Sequence, residues 1–210
     1  MGICIEYIEN LLIQGEWKKA DFETGKLIFS FCNSGKQAWL TLEDIDLIPL
    51  DILACLEMLW ATHSQGRFGF QLQEQIHNSV RTDVRNNPRD IIKGIISDVL
   101  RGKTDCMSDK EVLMVPYFFG VKVGWIEGHP MDSLGAYGRD KNYEELTFDL
   151  SAPAGHLPCL TWWTLNRQSK RISLEALFKK YGILGLSGSL VKYTCSVQLH
   201  FFKRVRIACS

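Results

Sequence analysis

At 210 residues the chain can bury a core without disulfide or metal staples, and it has room for one domain with an insert. Lys plus Arg and Asp plus Glu each total 24, so the net charge is zero. No global field favours nucleic acid or an anionic membrane, and any anion must be held by a local cluster. No apolar run approaches membrane-spanning length. Glu6 stands where a myristoylation site after Met1-Gly2 needs Ser or Thr, and no signal or transit peptide is read at the N-terminus. Seven cysteines are scattered without a C-x-x-C pair, which reads as free thiols in a reducing compartment rather than zinc ligands.

Along the chain the first half reads as short helices. Ile5, Ile8, Leu11 and Leu12 recur at helical spacing, with Gly15 as the stop. Trp17, Ala20, Thr24, Leu27 and Ile28 share one face of a second helix, and Asn33-Ser34-Gly35 is a break. Thr41-Leu42-Glu43-Asp44 is a capping-box-like start, with Pro49 ending that segment. Ile52, Cys55, Leu56, Leu59, Trp60 and His63 stripe a further helix, Gln65-Gly66 turns the chain, and Leu72, Ile76 and Val80 stripe the next.

Residues 81–120 read as a helical insert. Pro88 opens one helix, which Gly102 closes, and Ser108 with Glu111 caps another, ended by Pro116. From 121 to 169 glycine, proline and aromatics dominate, as in a long ordered loop or binding rim. Ser173, Leu174, Leu177 and Phe178 predict a short helix ending at Gly182. Tyr193, Cys195, Val197, Leu199 and Phe201 alternate with polar residues, which predicts a short β segment near the C-terminus. The expected fold is therefore mostly α: a single domain over 1–210 with an insert at 81–120 and an extension at 160–200.

No catalytic motif emerges. His156 and Cys159 are close in sequence, but nothing local supplies an orienting group or an oxyanion hole. Gly185-Leu186-Ser187-Gly188 lacks the spacing of a nucleophile elbow, and no phosphate loop, dinucleotide fingerprint or zincin motif is present. Histidines 63, 77, 129, 156 and 200 do not share ligand spacing, so no metal site is expected. Arg67-Phe68-Gly69-Phe70 joins two apolar helices. Phe68 and Phe70 read most simply as core anchors, with Gly66 and Gly69 permitting the turn. Lys203-Arg204-Val205-Arg206 concentrates cations at one place, either as a solvated basic end or as partners for carboxylates.

Two segments carry a family resemblance. Leu59-Trp60 with His63-Ser64, Gly66, Phe68-Gly69-Phe70 and Gln73 is the more specific. Leu150-Ser151-Ala152-Pro153 with Gly155-His156-Leu157-Pro158 follows closely. With Trp17 to Thr24, Trp39-Leu40, Val123-Gly124-Trp125 and the basic end, they resemble, in order, the "genomes uncoupled" tetrapyrrole-binding family, regulators of magnesium chelatase in chlorophyll biosynthesis. The chain departs from it in the longer 81–120 segment, in the 160–200 extension, in Arg139-Asp140-Lys141 where the family's loop has tryptophans, and in Lys203 where it commonly has arginine.

The resemblance implies a helical cupped hand with a greasy palm and two loop fingers. Leu42 and Ile45 would touch the macrocycle from one finger. Leu146 and Phe148 would lie at the other. Phe68, Phe70 and His156 would shape the palm, and Lys203 and Arg206 would pair with propionates. It further implies a non-enzymatic protein with no required cofactor, whose ligand is protoporphyrin IX, magnesium protoporphyrin IX or a bilin. The partner would be the large subunit of magnesium chelatase, without nucleic acid and with peripheral membrane contact left open. The location would be a cyanobacterial cytoplasm or a plastid stroma. Two rivals stay open: a bilin- or porphyrin-sensing signalling module, and a protein-interaction scaffold without pigment.

Overall fold

The structure, a computed structural model, describes residues 5–32, 40–86, 115, 118–127, 139–159 and 189–210. Among the described residues the helices that build the fold are α1 (Ile5–Ile13), α2 (Trp17–Ser30), α3 (Leu42–Leu47), α4 (Leu50–His63), α5 (Phe70–Asn86) and α6 (Ser189–Ala208). A two-stranded antiparallel ribbon pairs β1 (Ile126–Glu127) with β2 (Arg139–Asp140), placing Ile126 opposite Asp140. A 3₁₀ turn follows at Tyr143–Glu145. The expected break at Asn33-Ser34-Gly35, the helices expected around 88–102 and 108–116, and the one ending at Gly182 lie outside the described residues.

Local chemistry sets the early helix ends. Gly15 has a φ of +72°, open to glycine without strain, and closes α1. Its N–H donates to Leu12 O while Glu16 N–H donates to Leu11 O, the paired bonds of a Schellman turn. The same bond pair ends α4, where Gln65 takes the left-handed conformation and Gly66 N–H reaches Ala61 O at 2.7 Å. Thr41 and Asp44 form a reciprocal capping box on α3, each side chain accepting from the other's backbone N–H at 3.0 Å. The far end of α3 is held by α6. Arg204 Nη2 donates to Ile48 O at 2.6 Å and Asp46 O at 3.2 Å, and His200 Nε2 lies 2.8 Å from Asp46 Oδ1.

One contiguous core joins these elements. α1 packs on α2 and α4, and α6 packs across α3, α4 and α5. Its centre is aromatic: Trp17, Trp60 and Phe68 meet with ring centroids 5.6–6.4 Å apart, and Phe70 meets Phe201 edge-on at 5.1 Å. Trp60 satisfies its indole N–H on the buried Thr24 hydroxyl at 3.1 Å, so the ring is buried without an orphaned donor.

Three expectations need correction. Residues 193–201 are helical, inside α6, and the described β segments lie instead at 126–127 and 139–140. The inward residues of α6 are Val197, Gln198, Phe201, Phe202 and Val205, a period of about 3.6 that the polar–apolar alternation concealed. Secondly, the inward face of α5 is not centred on Leu72 and Ile76, which are half-buried. It runs through Phe70, Gln73, Glu74, His77, Val80 and Val84: Gln73 bonds loop carbonyls, Glu74 bonds Arg206, and His77 packs against the rings of Phe119 and Phe202. Thirdly, Leu53 and Glu57 are buried on α4, while Ile52, Cys55 and His63 of the expected stripe are only half-buried.

Candidate functional site

The two motif blocks are stitched to each other. Gly69 N–H donates to Leu157 O at 3.0 Å, and Gly155 N–H donates to Arg67 O at 2.8 Å. Arg67 Nη2 donates to Ala152 O at 2.8 Å. Gln73, wholly buried, sends its amide Nε2 to Gly155 O and Pro158 O at 3.0 and 2.9 Å. The Leu157–Pro158 peptide is cis. Glu57 reaches from α4 to cap α5, its Oε2 accepting from Phe70 N–H at 2.5 Å and Gln71 N–H at 3.1 Å. Burial pushes the Glu57 carboxyl upward, opposed by those two N–H groups.

The loop's other side is tied to α2. The fully buried Asp21 accepts from Cys159 N–H at 2.6 Å on one oxygen, and from Tyr143 O–H at 2.8 Å on the other. Burial, then the Asp21 charge, pushes both the Tyr143 hydroxyl and the Cys159 thiol well above their ordinary values. Cys159 is thus a buried neutral thiol, the opposite of an activated nucleophile. His156 is buried with Nδ1 2.6 Å from Val123 O, a bond that requires Nδ1 to carry the proton. Its Nε2 has no partner among the described residues. Burial lowers its pKa, opposed by the bond to Val123, and its own carbonyl accepts from Trp125 Nε1 at 2.8 Å.

The sequence-predicted residues divide by exposure. Phe68, Phe70, Ile45, Leu146 and His156 are buried in the core. Leu42 and Phe148 are half-buried and pack on its edge. Phe148 meets Tyr143 at 5.1 Å between ring centroids, and Lys18 Nζ lies 5.3 Å from the Phe148 centroid. Lys203 and Arg206 are exposed on α6.

Around those two cations α6 builds an outward stripe. Leu199 is 39% and Ile207 48% exposed, and with Lys203 and Arg206 they fall at i, i+4, i+7 and i+8 on one face. Apolar side chains at both ends and cations between them are what a flat apolar ring bearing carboxylates requires. Reading 193–201 as a strand hid the link between Leu199 and the basic end; a helical wheel places Leu199 and Ile207 on one face. Arg206 is joined to α5, its Nε donating to Glu74 Oε1 at 2.9 Å and its Nη2 to the same oxygen. A separate groove of about 270 Å³, lined by Val80, Asp83, Val84, Phe118, Val121 and Lys122, holds none of the predicted residues. Among the described residues no cluster of His, Cys, Asp and Glu could hold a metal ion, and no helix is long and apolar enough to cross a membrane.

A family model described as GUN4-like matches residues 2–174. The chain belongs to the GUN4-like family. Both stitched blocks and the α1–α5 scaffold lie within the matched span, whereas α6 lies beyond it. The chain is 29% identical over 80 residues to the "Tetrapyrrole-binding protein, chloroplastic" of Arabidopsis thaliana, covering 37% of this chain and 30% of that protein. It is 36% identical over 78 residues to the "Uncharacterized protein ycf53" of Pyropia yezoensis, covering 36% and 33%. The matches span about a third of the length of these curated relatives. The ligand-free structure of Arabidopsis thaliana GUN4 aligns with a TM-score of 0.45 at 22% identity, over 76% of this chain and 88% of that one.

Proposed function

We propose that this GUN4-like protein is a non-catalytic regulator in tetrapyrrole metabolism that binds protoporphyrin IX or magnesium protoporphyrin IX. It presents that pigment to magnesium chelatase, in a plastid stroma or a cyanobacterial cytoplasm. The observation that carries the reading is the Leu199–Lys203–Arg206–Ile207 stripe, where apolar surface and two cations share the outer face of α6. The ring would lie on the apolar residues, with Leu42 and Phe148 as further half-buried apolar contacts. The propionates would meet the two cations. The buried Ile45, Leu146, Phe68, Phe70 and His156 would act by holding the surface in shape.

Titration of the full chain with protoporphyrin, magnesium protoporphyrin and biliverdin, followed by tryptophan quenching and the Soret band, tests this. Saturable porphyrin binding is expected, weakened about tenfold in each of Lys203→Ala and Arg206→Ala, the scale of one charge-assisted hydrogen bond. Preference for biliverdin would favour a sensor module. No binding at micromolar protein would remove the pigment reading and leave a protein-interaction scaffold.

A further inference from the structure

We infer that Glu74 is a positioning residue for carboxylate recognition by Arg206, an inference that rests on the pigment-binding reading above. The pair is asymmetric. The Glu74 side chain is only 10% exposed, whereas that of Arg206 is 67% exposed. The carboxylate is therefore fixed within the α5–α6 contact, and the guanidinium comes to it. Both donors that Arg206 commits, Nε and Nη2, go to a single oxygen, Glu74 Oε1.

That arrangement uses one edge of a planar fork with five N–H donors. Nε is spent, Nη2 keeps one hydrogen, and Nη1 keeps two. The Nη1–Nη2 edge is the one that can take an incoming carboxylate by two parallel bonds. An exposed arginine without a tether samples many rotamers and must lose that freedom on binding. Here Glu74 removes part of it beforehand and leaves the Nη1–Nη2 edge for the ligand. Lys203, one turn earlier on the same face, has no planar edge to aim, so the geometric selection of a carboxylate falls on Arg206.

The experiment compares the full chain with Glu74→Ala and Glu74→Gln, each titrated with protoporphyrin and with its dimethyl ester, which has the same ring and no carboxylate. Glu74→Ala is expected to lose about three- to tenfold in affinity for the diacid and to keep its affinity for the ester. Glu74→Gln, which keeps an acceptor oxygen, is expected to recover part of the loss. Unchanged or tighter diacid binding in Glu74→Ala would overturn the inference, since it would make Glu74 a bystander or a competitor. Equal losses for both ligands would overturn it too, by showing a purely structural pair. If the unsubstituted chain binds neither ligand, the proposed function fails first and takes this inference with it. If it binds the diacid and Glu74→Ala binds it equally, only the inference falls.

Discussion

Gln73 on α5 donates to two carbonyls of the proline-rich loop, Gly155 O and Pro158 O, more than eighty residues away in sequence. Both bonds are buried, so no water stands ready to replace the amide. The two blocks that carry the family resemblance are thereby one structural unit.

Replacing Gln73 by leucine keeps the volume and removes the donors. Two carbonyls would be left without their partner, which costs about 2–4 kcal/mol. Denaturant unfolding should show a lower midpoint with an unchanged slope. An unchanged midpoint would mean that the loop docks by its apolar contacts alone.

Gly69 is constrained twice. Its φ is +131°, and a Cβ there would sit 2.7 Å from Glu57 Oε1. Gly69→Ala is expected to cost about 1–3 kcal/mol from backbone strain, with the clash added. Glu57→Ala should itself cost about 1–2 kcal/mol through loss of the α5 cap. In combination the two should be less damaging than their sum by more than about 0.5 kcal/mol, because the clash disappears with Glu57. Strict additivity in thermal or denaturant unfolding would refute the contact.

His77 supplies a pH dependence. It is buried between Phe119 and Phe202, and burial, then Arg81, lowers its pKa from 6.5 to about 4. Between those values the unfolded chain takes up a proton that the folded chain refuses. The folded state thus keeps its stability above about pH 6.5 and loses it as pH falls toward 4, up to about 3 kcal/mol in all. His77→Phe should flatten the stability profile across that window. A profile as steep as that of the unsubstituted chain would assign the acid sensitivity to other groups.

Much of the architecture was legible because its causes are local. The Gly15 stop, the Thr41–Asp44 box and the Gln65-Gly66 turn each depend on residues within one helical turn or two, and such bonds form wherever the chain places those side chains. Phe68 and Phe70 were readable as core anchors for the same reason: two large apolar groups beside flexible glycines have few other uses. Lys203 and Arg206 stood out as cations, but their setting did not.

Local sequence alone marks the stop of α1 at Gly15, the capped start of α3 at Thr41–Asp44, the turn from α4 into α5 at Gln65-Gly66, and the two blocks that carry the family resemblance. Tertiary structure decided that residues 193–201 are helical, because α6 lays Val197, Phe201, Phe202 and Val205 against three other helices, and a 3.6-residue spacing serves that contact where alternation does not. It also decided that Gln73, Glu74 and His77 face inward. Polar side chains are read as surface until a partner distant in sequence is brought within hydrogen-bond or ring-contact distance, and only folding brings Pro158 to Gln73, Arg206 to Glu74 and Phe202 to His77.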